Sequence, residues 1–551
     1  VGKINPDFDR CFRRGQQLAA RGDTVQALDA FAEAMEKIEP AESPSEYTIC
    51  AFQSAAAARK AGWYHESDQF LSMISRFESV PTRIRLHAAS ERVQHAMDWM
   101  TGEVALNASM EAVELAGELD VPEFLAQQYG NLGLIEMRLG NYRAAHDNLL
   151  RSAALYGDLG HETNQARAWA ALGSVAVKTD DLETAEDYFA DAYDALLDAE
   201  EFEQAAVPRA QHGHLLRRKG NIIQAYNIFL EAESLMEVGS RRRMELDLDL
   251  AGVEMELGRW DQAWQRLDCD DSMTPGFLAK FRYTQVDWYI GHGRLNEALA
   301  AVEDASFLFD SRSDKQGMLA TRILRARILW ALGKTPEGLP DFHEIGDLPN
   351  IRQVLELFSI ERSVARGDLE VAASLLKGVA RLSSELHLGA HLEQARTMAY
   401  LVAFLQGKRT SEQLEEHTRE SSRNLISMGA CRTARSILIR TGLWLALAQT
   451  DRAAERLLAD AAQIPLYPVP RSAELSVLQV NQLIRITRGE IGDLEPLERS
   501  EDLESRSIDL AIQAWSKDDS EAFAAILEGL SSREHHLLAS RIRAFFHNRW
   551  G

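Results

Sequence analysis

Glycine returns in this chain at intervals of 40 residues, each time within a similar pattern of small and large apolar residues. Three segments show it: YGNLGLIEMRLGNYRAAHDNLLRSA from Tyr129, WAALGSVAVKTDDLETAEDYFADA from Trp169 and RAQHGHLLRRKGNIIQAYNIFLEA from Arg209. Gly133, Gly173 and Gly213 coincide, as do Ala145, Ala185 and Ala225, and then Leu149, Phe189 and Phe229. Self-similarity at such a period marks a stack of supersecondary units, none of which can bury its apolar face alone. With 551 residues the chain is too long for one hydrophobic core, and a repeat array removes that difficulty.

The unit itself follows from helix geometry. A small residue such as Gly173 lets one helix approach the next closely. Ala185 and Phe189, four apart, put a small and a large side chain on one face of the second helix, and Ala192 continues that face. A Gly-Asp, Gly-Asn or Gly-Arg pair between the two helices supplies a C-cap and a turn. Extended along the chain, this turn is expected at Gly22, Gly62, Gly102, Gly140, Asp180, Gly220, Gly258, Gly293, Gly333, Gly367, Gly407, Thr450, Gly489 and Asp518. Ala, Leu, Glu and Arg dominate and proline numbers only 14, which favours helix throughout.

Trp169, Leu172 and Gly173, with the later Ala and aromatic positions, make the unit resemble the tetratricopeptide repeat. The resemblance covers nearly the whole chain, closely from Gly22 to Leu267 and more loosely afterwards. The usual repeat is shorter than the units here, whose long helices look like those of kinesin-light-chain arrays and of maltose-activator-like bacterial sensor domains. What it implies is an all-α, right-handed superhelical solenoid of about 13–14 hairpins. Breakers divide it into a well-registered array over 1–267, a degenerate array over 268–464, and C-terminal hairpins with a capping helix over 465–551. They are Asp268 to Gly276, Lys334 to Pro340, Gly346 to Asn350 and the three prolines between Ile464 and Pro470. The terminal helix is expected from Arg533 to Trp550.

The formal net charge of −24 works against phosphate backbones and anionic lipid, so neither nucleic acid nor membrane is an expected partner. Cys11, Cys50, Cys269 and Cys431 are far apart and show no metal-ligand spacing, which fits a reducing compartment. Residues 1–15 lack the apolar core of a signal peptide, and the start at Val1 fits a trimmed or processed end. A bacterial-style, cytoplasmic protein is the expectation.

Chemistry is hard to find in the sequence. It contains no phosphate-binding loop, dinucleotide fingerprint or nucleophile elbow, and no cofactor is expected. His387 and His391 share a helical spacing but lack the intervening acid of a zinc motif, so no metal is expected either. The remaining histidine pairs, His212 with His214 and His535 with His536, diverge on a helix and read as surface or groove polarity. Trp63, Tyr142, Phe189, Phe229, Trp260 and Phe342 read as core or turn packing rather than a stacking platform.

One polar pattern stands out. Arg138, Lys178 and Arg218 occupy the same repeat position, two residues before the turn. Arg217 is adjacent, and Arg167 and His214 fall at earlier positions of the first helix. In tetratricopeptide repeats that helix lines the concave wall, and Asn131 sits where related domains place a polar peptide contact. The resemblance thus implies a groove bearing positive and amide groups, fitted to an acidic segment or a free C-terminal carboxylate. A cation in the last turn of a helix also complements the helix dipole, worth about 0.3–1 kcal/mol with no partner at all. The expected function is a non-enzymatic scaffold or adaptor holding a peptide or protein on its concave face. The alternative is a regulatory or sensor subunit whose effector, a caspase-like protease, a STAND-type ATPase or a transcription regulator, lies on another chain or a removed segment.

Overall fold

The computed structural model describes residues 5–74, 80–99, 102–268, 273–311, 314–346, 348–385, 388–465, 471–488 and 500–550. Among them there are 28 α-helices and no strand, and successive helices pack as antiparallel-type hairpins joined by short turns. These are tetratricopeptide-like hairpins, and the sequence repeat explains their packing. A Cβ added to Gly173 would lie 2.6 Å from Phe189 Cε1, and one added to Gly213 would lie 2.5 Å from Phe229 Cε1. Gly133 stands in the same relation to Leu149, and Gly15 to Phe31 in the first hairpin. The glycine is therefore the socket for the large residue sixteen positions later, and burying such a side chain stabilises by about 1.5–3 kcal/mol.

The turns behave as expected, with informative exceptions. Gly140 and Gly220 take φ of 82° and 87°, and Asp180 fills the matching turn at φ 65°. Aspartate is among the few side chains that tolerate this region. Near the end of the array the left-handed residue is Gln449 rather than Thr450. Gly102 does not make a turn, because it opens the helix Gly102–Glu118. Gly489 lies outside the described residues. The turns between one hairpin and the next, at Asp120, Gly160 and Glu200, also use positive φ, and the glycine register missed them.

The chain divides into two compact units, Val1–His212 and Gly213–Gly551. In the first, the hairpins Pro6–Arg21 with Thr24–Met35, Pro44–Lys60 with Tyr64–Ile74, Thr82–Trp99 with Gly102–Glu118, Pro122–Arg138 with Tyr142–Asp158, and Glu162–Lys178 with Leu182–Asp198 follow one another in order. Prolines at the first or second helical position start three of these helices, where a missing N–H costs nothing. Cys50 is buried here and donates to the Phe31 carbonyl at 3.3 Å; burial pushes its thiol up to about 12.

The second unit carries the expected breakers. Pro275 begins the helix Pro275–Gly291, and residues 269–272 lie outside the description. After Lys334 the partner helix shrinks to Phe342–Ile345. The helices Arg471–Thr487 and Asp451–Gln463 flank the proline-rich stretch, of which 466–470 lie outside the described residues. The terminal helix runs from His536 to Trp550.

This second unit also folds back on itself. Arg432 Nη2 lies 3.0 Å from Glu256 Oε1, and Thr433 Oγ1 donates to Glu256 Oε2 at 3.1 Å. Gly429 is pressed against Ile222 and Ile223 so closely that a Cβ would lie 2.9 Å from Ile223 Cγ1. Further along, Glu501 Oε2 accepts from the Asn296 N–H at 2.8 Å, and the His535 ring stacks on Trp330 with centroids 4.6 Å apart. Later hairpins thus close onto the edge where earlier helices end. Contacts of this kind join residues up to 205 positions apart, far beyond any repeat period.

Candidate interaction surface

Neighbouring first helices of the first unit are tied side by side by a polar ladder. Gln128 Nε2 donates to Ser90 Oγ at 3.1 Å, Arg167 Nε to Gln204 Oε1 at 2.7 Å, and Gln211 Nε2 to Ser174 Oγ at 3.0 Å. Each rung spans one repeat, so these residues hold the helices in register as well as colouring the face they share.

The candidate residues fall into two groups on this frame. Asn131 Nδ2 reaches Gln128 Oε1 at 3.4 Å, and Arg167 also donates to Asn164 Oδ1 at 3.1 Å. Both are engaged by neighbours within the first unit, and a ligand would have to exchange for those bonds. Arg138 and Lys178 are exposed in the last turns of Pro122–Arg138 and Glu162–Lys178. That position satisfies the helix dipole and leaves the charge at the surface.

The other three lie in the second unit. His214 Nε2 is 3.2 Å from Asp249 Oδ2, and Arg217 Nη1 is 3.7 Å from Asp249 Oδ1. The His214 ring also meets Phe229 edge-on at 5.1 Å. Arg218 is half-buried in the last turn of Phe202–Arg218. Asp249 therefore neutralises much of the positive charge that the sequence assigns to this part of the face.

Other expectations change in detail. His535, read as surface polarity, is 1% exposed, with Nδ1 3.1 Å from Glu504 Oε1. His212 is half-buried, with Nε2 3.3 Å from Glu186 Oε1. His387 lies outside the described residues, as does Cys269. Trp63 is half exposed rather than packed away, whereas Phe189, Phe229 and Trp260 are core. Tyr142 packs partly buried against the cluster of Ala145, Leu149, Leu172 and Val175. The side chain of Phe342 is outside the description.

An arrangement that sequence reasoning missed lies at the second unit's closure. Arg362 Nη2 and Arg366 Nη2 both donate to the Glu534 carboxylate, at 2.8 and 2.5 Å. The two cations, Arg366 foremost, hold that carboxyl below the usual range. Arg366 stands in the last turn of Pro349–Arg366, a helix end of the same kind as those carrying Arg138 and Lys178. The only signal in the sequence was the i, i+4 arginine pair, and nothing there named a partner 168 residues away.

No protein-family model and no curated protein sequence matches the chain. Several solved structures are similar to parts of the chain. The apo form of the quorum sensor NprR from B. thuringiensis is 13% identical, with 65% of this chain and 100% of that chain covered at a TM-score of 0.45. The Rap conjugation gene regulator of the plasmid pLS20, solved with the Phr* peptide, is 12% identical, covering 64% and 93% at 0.41. The STAND protein with a tetratricopeptide repeat sensor from Pyrococcus horikoshii is 14% identical, covering 51% and 42% at 0.40. Among the described residues, no helix is long and apolar enough to cross a membrane.

Proposed function

We propose that the chain is a non-enzymatic adaptor that holds an acidic segment of a peptide or protein partner at the helix ends of its first unit. The observation that supports this most is internal to the protein. In the second unit Arg366, in the last turn of its helix, and Arg362, one turn earlier, already grip an acidic residue, Glu534, brought from a distant part of the chain. The first unit presents Arg138 and Lys178 at equivalent helix ends, exposed, on a protein whose net charge is −24. A carboxylate arriving there gains charge-assisted hydrogen bonds and a favourable helix-end field. Asn131 and Arg167, on the face alongside, would extend the contact by exchanging their ladder bonds for bonds to the partner's backbone.

The test is charge reversal of Arg138 and Lys178 together to Glu. Binding of a fluorescein-labelled Asp/Glu-rich decapeptide, followed by anisotropy, should weaken at least tenfold and lose most of its salt dependence. Unchanged affinity and an unchanged salt slope would return these residues to helix capping alone. Capture of a protease, ATPase or DNA-binding protein by the wild-type chain, lost in the double variant, would make the adaptor a regulatory subunit of that effector.

A further inference from the structure

The second unit contains a cavity of about 540 Å³ beside the hairpin of Arg241–Glu256 and Trp260–Leu267. That size lies within the usual range of small-ligand sites, about 300–1,000 Å³. An ionic cluster borders it, with Arg243, Asp247, Glu254 and Arg266 among the lining residues. Arg266 Nη1 donates to Glu233 Oε1 at 2.6 Å and to Asp247 Oδ1 at 2.9 Å, and its Nε donates to Glu254 Oε1 at 2.9 Å. Arg243 Nε reaches the same Asp247 Oδ1 at 3.3 Å, and its Nη2 pairs with Glu233. Two guanidiniums thus serve three carboxylates.

The surplus is visible in the geometry. Glu254, only 1% exposed, lines the cavity, and its second oxygen, Oε2, has no hydrogen-bond partner. A buried carboxylate left half satisfied is costly, because the desolvation of its free oxygen is not repaid. Burial raises the pKa of Glu254 against the pull of Arg266, so a further positive charge nearby would relieve it. Asp268, exposed at the cavity, adds another carboxylate. Met244, Met273 and Phe281 also line the cavity and offer apolar surface suited to methylene groups.

We propose that this cavity binds a long cationic side chain, arginine or lysine, presented by a peptide, with its charged head against Asp247 and Asp268 and its stem along Met244, Met273 and Phe281. A carboxylate or phosphate ligand fits poorly, since both lining guanidiniums are already committed to acids. The site is independent of the first unit's helix ends, so it stands or falls separately from the adaptor reading.

Isothermal titration of the intact chain with Nα-acetyl-arginine amide and Nα-acetyl-citrulline amide tests it, because the two differ in charge and hardly in shape. The arginine probe should bind at least tenfold more tightly. Asp268→Asn, an exposed substitution that leaves the buried cluster intact, should weaken it at least fivefold, and Asp247→Asn should weaken it further in protein whose circular dichroism is unchanged. Equal affinity for the two probes, or full affinity in Asp268→Asn, overturns the assignment. A Gly-Gly-Arg-Gly-Gly peptide binding more tightly than free agmatine supports a peptide source, and the reverse order overturns that part.

Discussion

Asp509 offers the most direct check on how the second unit is held together. It sits on the helix Leu503–Ser516 and is 5% exposed. Oδ1 accepts from Gln479 Nε2 at 2.8 Å, while Oδ2 is buried without a partner. Burial outweighs that hydrogen bond and pushes the carboxyl from 3.8 up to about 6. The folded protein therefore holds a proton at pH 5 that the unfolded chain has released. This group favours folding most at low pH, and its contribution is lost as pH rises through about 6. At about 1.36 kcal/mol per pKa unit the full difference is roughly 3 kcal/mol, of which about 2 kcal/mol falls between pH 4.5 and 7.5. Asp509→Asn removes the titration but places an amide N–H where Oδ2 now lacks company, a cost of about 1–3 kcal/mol at every pH. The sign of the substitution at any one pH therefore depends on two opposed terms, but its change with pH does not. Urea unfolding at micromolar concentration should show the variant gaining about 2 kcal/mol relative to wild type between pH 4.5 and 7.5. A difference that stays flat across that range would mean that Asp509 is solvated and that the packing around it is looser than described.

Three further outcomes follow from the packing. Gly173→Ala should destabilise the first unit by about 1–3 kcal/mol in urea, since its Cβ would lie 2.6 Å from Phe189 Cε1, and Phe189→Leu in the same chain should restore part of the loss. Glu534→Gln should cost only about 0.5–1 kcal/mol, because the pair is partly solvated, but amide exchange in Pro349–Arg366 and His536–Trp550 should quicken while the first unit is unaffected. Cys50 should resist iodoacetamide in native protein and react on unfolding, because burial holds its thiol up to about 12; rapid native labelling would contradict its place under Phe31.

The hairpins were legible in the sequence because their determinants are local. Gly173 and Phe189 are sixteen residues apart, and a glycine with a large apolar residue at that spacing recurs in three consecutive units. At Thr450 the turn came one residue earlier, at Gln449, while at Gly102 the expected turn residue instead opens a helix. The basic position was equally plain, since Arg138, Lys178 and Arg218 repeat with the glycines. The state of those charges was not plain. Asp249, which pairs with His214 and Arg217, sits in the next hairpin at a position no repeat rule marks. His535 looked like surface polarity because its burial depends on Trp330 and Glu504, neither a neighbour in sequence.

The closure of the second unit shows why that distinction matters for function. A repeat array is built from nearest-neighbour interfaces, and its sequence period encodes only those. Contacts between hairpins several repeats apart are made by residues that the period leaves free to vary: Glu256 with Arg432, Glu501 with the Asn296 amide, Glu534 with Arg362 and Arg366. Each joins a helix end or turn of an earlier hairpin to a later one, and two of the three use an arginine against a glutamate. The same elements, cationic helix ends and acidic turns, are what a partner chain would have to supply or meet. An array that uses this chemistry to engage its own later repeats needs no new kind of contact to engage another protein; it needs only helix ends that its own chain has not covered. Arg138 and Lys178 are exposed at the ends of their helices, and the proposed adaptor role is tested there.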